Sequence, residues 1–142
     1  MEKPSSRDNP TFRKEFVDEK RYFPRMNGQN VFKNASEKMP EAVRAALEYN
    51  GLTIEDVDHL LPHQANDRIS LMVARKLRIP VEKVIRNIDR VGNTTAASIP
   101  IALDESMKNG RIKEGDIVVL TAFGSVETAV SAMKAGAFAD GA

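Results

Sequence analysis

The run Asp116-Ile117-Val118-Val119-Leu120-Thr121-Ala122-Phe123 shows no alternation of apolar and polar side chains. A strand apolar on both faces must be covered on both faces, so the run predicts a central strand with helices above and below it. The rest of the chain supplies such cover, because strand-like runs alternate with stretches of helical period. That order predicts a mixed α/β sheet.

Residues 1–21 are charged and weakly apolar, with Pro4 and Pro10 and no clear period, and predict a mobile lead-in or surface loop. Tyr22 to Met26 predicts a short strand that Pro24 restricts to an edge or a strand end. Val31, Phe32, Ala35 and Met39 recur at three- and four-residue steps, the stripe of an amphipathic helix. Pro40 should kink or restart that helix, Val43, Ala46 and Leu47 continue its stripe, and Asn50-Gly51 stops it. Thr53 with Asp56 suits the cap of one short turn, and Asp58 to Pro62 reads as a brief buried strand.

Asn66 is a good N-cap for a helix whose buried face is marked by Ile69, Met72, Val73 and Leu77. Ile79-Pro80 ends it, and Pro80 suits the first position of a further turn through Lys83. Val84 to Ile88 reads as another strand. From Thr94 to Lys108 apolar residues surround the first half of a helix on all sides, which predicts burial between two layers. Pro100 should bend it and Asn109-Gly110 end it. Thr128 to Met133 alternates like a last, antiparallel strand, and the Ala/Gly-rich residues 135–142 predict a loose tail.

With 142 residues, 42% hydrophobic and 29% charged, the chain has the length and composition of one globular domain. A formal net charge of +1 leaves any charged partner to a local patch. The absence of cysteine excludes disulfides, thiolate metal sites and a thiol nucleophile from these residues. No apolar run reaches the roughly 20 residues of a membrane helix. Met1-Glu2-Lys3-Pro4 is polar with no apolar segment behind it, so no secretory leader is expected and the cytoplasm is the expected compartment.

His63 stands where the chain turns from a strand into a helix, and Gly92-Asn93-Thr94-Thr95 makes a second such turn with an amide at its tip. Two neutral donors at neighbouring strand ends suit the stabilisation of an oxyanion. Each also has a plain reading, His63 as a structural or surface histidine and Asn93 as a turn residue or helix cap. Asn93 gains as a donor if Thr94, Thr95 or Ser98 does the capping and leaves its amide free. His59 and His63 are spaced like a metal pair on a helix, but the strand-like run and Pro62 between them speak against a metal. Arg68, Arg75 and Lys76 share one side of the helix after Asn66, either as a solvated face or as a dock for an acidic partner. No helix-turn-helix, zinc module or aromatic series accompanies the charges, so nucleic acid is not expected.

Together, His63-Gln64-Ala65-Asn66-Asp67-Arg68-Ile69, Gly92-Asn93-Thr94-Thr95-Ala96-Ala97-Ser98-Ile99-Pro100 and Ala122-Phe123-Gly124 resemble the C-terminal half of the β-ketoacyl-acyl-carrier-protein synthase III family. Met26-Asn27-Gly28 followed by Val31-Phe32-Lys33 adds to the resemblance, which covers residues 22–134. It implies a C-terminal half-domain of a thiolase-like α/β fold, a mixed sheet with helices on both faces, dimeric when complete. It implies a partner half carrying the cysteine that is acylated from acyl-coenzyme A. His63 and Asn93 match the pair that holds the thioester carbonyl of malonyl-acyl-carrier protein during decarboxylation. Phe123, Gly124 and Ser125 match the backbone loop of the oxyanion hole. Met26, Gly28, Phe32, Ala65, Asn66 and Ile69 match the lining of the pantetheine tunnel. Arg68, Arg75 and Lys76 match the docking face for acyl-carrier protein, and the helix from Thr94 matches a central-layer helix shared by the two halves. No bound cofactor is implied.

Two features depart from the family. The cysteine half is absent from these residues, and Ser125-Val126-Glu127 stand where the family continues with glycines. A β-branched valine resists positive φ, which bears on the oxyanion loop. The resemblance therefore predicts the catalytic half of a condensing enzyme. The alternatives are a carrier-protein-binding half-domain without catalysis and a degenerate remnant whose central helix has lost its cover.

Overall fold

A computed structural model describes residues 27–123 and 130–134. The chain divides at Val31/Phe32 into two compact units. The first unit is described over Asn27–Val31, the opening of helix α1 (Gly28–Tyr49). There the Asn27 side chain accepts the Asn30 N–H at 3.1 Å, a local cap.

The second unit holds the rest of α1, strand β1 (His59–Pro62), helix α2 (Asp67–Leu77), short helix α3 (Ile88–Val91), helix α4 (Ser98–Lys108), and strands β2 (Ile117–Thr121) and β3 (Val130–Lys134). The strand order is β1-β2-β3. β1 runs parallel to β2, with Leu60 opposite Val119 and Leu61 opposite Leu120, and β3 returns antiparallel to β2. The predicted mixed sheet and its last antiparallel strand are both present.

Alternation along the strands sorts side chains to two sides. Leu60 and Val119 join Met39, Val43 and Leu47 of α1 and Val73, Ala74 and Leu77 of α2 in one core. Leu61 and Val118 join Ala102 of α4, Ile85 and Ile112 in a second. Helices therefore cover both faces, as the unbroken apolar run demands. Burying each of the valine, leucine, isoleucine and methionine side chains contributes roughly 1.5–3 kcal/mol.

Caps and stops follow local chemistry. Gly51, at φ 66°, ends α1, and the Asp56 carboxylate receives both the N–H and the hydroxyl of Thr53 at 2.7 and 2.8 Å. Asn66 caps α2 by accepting the Arg68 N–H at 3.0 Å. Arg78, rather than a glycine, closes α2 at φ 59°.

Several expectations are corrected. Pro40 does not restart α1, which continues through it as one helix with the proline in the buried stripe. On α2, Ser70, Val73, Ala74 and Leu77 are buried, while Ile69 and Met72 are only partly so. Pro80 precedes the 3-10 turn Val81–Lys83 by one position instead of opening it. Val84–Ile88 is not a strand: only a single parallel bridge joins Leu60 to Val84. The Ile85 N–H donates to the Leu60 carbonyl at 2.8 Å, but the next backbone groups a longer strand would use are taken by side chains. The Arg111 guanidinium donates to the carbonyls of Glu82 and Val84 at 2.7 and 3.0 Å, and Gln64 takes the N–H of Asn87.

Helix α4 differs most. A 3-10 turn, Thr95–Ala97, precedes it, so the α-helix begins at Ser98 and Pro100 falls in the first turn, where a missing N–H removes no intrahelical bond. Its buried stripe is Ser98, Ala102 and Ser106, small residues that let it approach the sheet closely. Ile99 and Leu103 are partly buried against the second core, whereas Ile101 and Met107 are 38% and 49% exposed. The helix is not enclosed on all sides. Residues 1–26, 124–129 and 135–142, with the expected lead-in, first strand and tail, lie outside the described residues.

Candidate active site

The parallel pairing of β1 and β2 brings two strand ends to one edge of the sheet, the usual location of ligand sites in α/β folds. Just past β1, the His63 N–H donates to the Thr121 carbonyl at 2.8 Å, so the ladder itself fixes the histidine's backbone. Its Nδ1 lies 2.5 Å from the Ser98 hydroxyl at the start of α4. The ring is partly buried, and desolvation pushes its pKa below 6.5, so the imidazole is neutral at pH 7. A neutral imidazole can donate from one nitrogen only.

The loop before α4 carries Asn93. Gly92 has φ 67° and ψ −163°, a conformation nearly confined to glycine, and lets the chain reverse into Asn93. The Asn93 Oδ1 accepts the N–H of Thr95 at 2.9 Å, which holds Thr95 at φ 52°. The expectation that Thr94, Thr95 or Ser98 would cap and leave the amide free is therefore corrected. Asn93 does the local capping with its oxygen, because Ser98 is engaged with His63 and the Thr94 hydroxyl has no partner among the described residues. The cap fixes the amide plane, and the Nδ2 donors of exposed Asn93 make no hydrogen bond among the described residues.

A buried polar chain, not anticipated from sequence, ties the strand-end turn at His63 to the turn at Gly92-Asn93, which follows the short helix α3 and not the expected strand. Gln64, 1% exposed, donates to the carbonyls of Pro62 and Ile85 at 2.7 and 3.2 Å and accepts the Asn87 N–H at 3.0 Å. Asn87 in turn donates to Glu105 of α4 at 3.0 Å, and Glu105 pairs with Arg90. The hydrogen bond from Arg90, followed by that from Asn87, holds the Glu105 carboxyl below its usual range. The chain runs from the residue after His63 to the short helix α3, which leads into Gly92-Asn93. Its signal in sequence was slight, a glutamine beside the histidine and an asparagine before α3.

Arg68, Arg75 and Lys76 are all exposed on α2. Arg86 is engaged elsewhere, in a two-pronged pair with Asp67 at 2.9 and 3.1 Å. Ala65 and Asn66 are exposed and Asn66 serves as the α2 cap, Ile69 packs partly buried against the first core, and Phe32 is half-buried on α1. Gly28 lies in the opening turn of α1. Phe123 follows β2 and packs against the first core. Met26, Gly124 and Ser125 lie outside the described residues. His59 begins β1 while His63 follows its end, on the order of 13 Å away along an extended chain, too far to share a metal ion. Its Nε2 faces Asp116 at 3.3 Å instead. A groove of about 760 Å³ beside Asp67, Glu82, Arg86 and Arg111 contains neither His63 nor Asn93. No helix among the described residues is long and apolar enough to cross a membrane.

A mixed sheet covered by helices on both faces, with a histidine just past a strand end and an amide loop between α3 and α4, defines one half of a thiolase-like condensing-enzyme fold. Residues 47–133 match the model of the 3-oxoacyl-[acyl-carrier-protein] synthase III C-terminal family, and the chain belongs to that family. It is 48% identical over 116 residues to the β-ketoacyl-[acyl-carrier-protein] synthase III of Methylococcus capsulatus, covering 82% of this chain and 36% of that protein. The crystal structure of 3-oxoacyl-[acyl-carrier-protein] synthase III from Aquifex aeolicus superposes with a TM-score of 0.72 at 48% identity, over 76% of this chain and 35% of that one. The priming β-ketosynthase of the R1128 polyketide pathway superposes at 0.73 and 32% identity, over 84% of this chain and 37% of that one. The chain spans about a third of the length of the curated relatives it matches.

Proposed function

We propose that this chain supplies the decarboxylating half of a synthase III-type acyltransferase. His63 and Asn93 donate hydrogen bonds to the thioester carbonyl of malonyl-acyl-carrier protein as loss of carbon dioxide turns it into an enolate. The enolate carbon then attacks an acyl-cysteine, formed from acyl-coenzyme A on a cysteine-bearing thiolase-like half. That cysteine comes from outside these residues, which contain none. The observation that carries the reading is the arrangement around His63: a neutral ring fixed at a strand end and bonded to Ser98, which opens the helix after the loop where Asn93 is held by its oxygen alone. Donors held in place before charge develops stabilise the transition state without reorganising.

In this reading Arg68, Arg75 and Lys76 meet acidic acyl-carrier protein, and Met26, Gly28, Phe32, Ala65, Asn66 and Ile69 line the path of its pantetheine arm. Phe123, Gly124 and Ser125 form the backbone loop beside the acyl-cysteine. The exposed Ile101 and Met107 of α4 face the partner half, the complete enzyme is a dimer, and no cofactor is bound. The cytoplasm, where carrier protein and coenzyme A thioesters are made, is its compartment.

The reading is tested by mixing the chain with a thiolase-like half that carries the cysteine and following carbon dioxide release from malonyl-carrier protein and formation of the 3-oxoacyl product. Condensation dependent on both pieces is expected; no turnover in the mixture overturns the reading. A second measurement separates docking from chemistry. Arg68→Glu is expected to weaken carrier-protein binding by about tenfold, because one cation of an exposed face becomes an anion. Binding unchanged by Arg68→Glu, in titrations at low salt, places the docking face elsewhere.

A further inference from the structure

We infer that the Ser98 hydroxyl is the positioning group that decides which nitrogen of His63 carries the proton, donating to Nδ1 and leaving Nε2–H as the ring's only donor. The inference deepens the proposed decarboxylation and rests on that reading for its catalytic consequence, but its structural content stands separately.

A hydroxyl has one hydrogen to give and two lone pairs to offer. The Ser98 Oγ already accepts the Gln64 N–H at 3.3 Å, and its other neighbour is His63 Nδ1 at 2.5 Å. If Nδ1 carried the proton, Ser98 would accept from both sides and its own hydrogen would have no acceptor, since Oγ makes no other hydrogen bond among the described residues. Ser98 is 0% exposed, so water cannot take up that hydrogen. Leaving a buried donor unpaired forfeits its full desolvation penalty, which biases the ring by about tenfold or more toward Nε2–H.

The position of Ser98 supports the same assignment. A serine at a helix start ordinarily turns its oxygen back onto the helix's own N–H groups. Here α4 has no side-chain cap bond, and the hydroxyl reaches across to β1 instead. The small buried stripe of Ser98, Ala102 and Ser106 brings α4 near enough for that reach. Ser98 also joins the two donors mechanically, because it follows the Asn93 loop within one turn of chain and grips the ring of His63. A single hydroxyl thus orients the imidazole and couples it to the loop that carries the amide.

The test reads the tautomer directly. Long-range proton–nitrogen correlation spectra of the nitrogen-15-labelled chain at about pH 8 should show His63 with a bare Nδ1 and a protonated Nε2. In Ser98→Ala both tautomers should be populated while the backbone amide pattern away from the site is kept. In the reconstituted enzyme the same variant should lower kcat about tenfold, with KM for malonyl-carrier protein unchanged. A wild-type ring protonated on Nδ1 overturns the inference, as does a Ser98→Ala protein that keeps both the wild-type tautomer ratio and kcat. If the alanine variant does not fold, the wild-type tautomer alone decides. An Nε2–H ring in a wild-type mixture that shows no turnover upholds the role of Ser98 and overturns the proposed function.

Discussion

His63→Ala is expected to lower malonyl-carrier-protein decarboxylation by the reconstituted enzyme about 10²–10³-fold, the usual effect of removing one donor from an oxyanion site. Carrier-protein affinity should be unchanged, because Arg68, Arg75 and Lys76 lie on the exposed side of α2 while His63 sits at the end of β1. Measured kcat and carrier titrations on the same preparation separate the two effects. A variant that loses binding in parallel with turnover would show that His63 acts as structure. The ring also leaves a signature in pH. Burial lowers its pKa in the fold below 6.5, so protons bind the unfolded chain more readily than the folded one. The stability that goes with a neutral ring is complete above about pH 6.5 and is lost as pH falls through the lower folded value. Thermal unfolding at pH 7 and pH 5 should therefore show wild type losing more stability on acidification than His63→Ala.

Gln64→Ala is expected to destabilise the fold by about 3–5 kcal/mol, more than any exposed substitution in the chain. The side chain is 1% exposed and serves three backbone groups, the carbonyls of Pro62 and Ile85 and the N–H of Asn87. Each orphaned buried group costs roughly 1–3 kcal/mol, and a truncated side chain leaves no replacement partner. Glutamine supplies both donor and acceptor at one tip, so Gln64→Leu, which keeps the volume, should be nearly as damaging. Urea unfolding midpoints decide the matter. A loss below about 1 kcal/mol for both variants would mean that water or a local shift replaces the amide.

The sequence was most informative where side-chain pattern and local chemistry act within a few residues. The unbroken run ending at Thr121 required two covered faces, Asn66 and Gly51 marked helix limits, and the returning strand near Val130 followed from alternation. The family match rested on residues around His63, Asn93 and Phe123, and it gave the fold class correctly. What escaped was set by partners far apart in the chain. Val84 to Ile88 has the composition of a strand, but Arg111 and Gln64 occupy the backbone groups that pairing would need. Ser98 read as a possible cap because only the folded chain brings His63 to its hydroxyl. Helix α4 read as fully enclosed because periodicity reports apolar content, whereas coverage depends on what packs over Ile101 and Met107.

The last rung of the β1–β2 ladder is the amide of His63 itself, bonded to the Thr121 carbonyl. Local opening of that sheet edge and displacement of the histidine are consequently a single event with one free energy. Deuterium uptake at the His63 amide therefore measures how often the site is dismantled, without any substrate present. It also gives the site a lifetime set by the pairing of four residues, which a helix docked at Ser98 can lengthen and a frayed β2 would shorten.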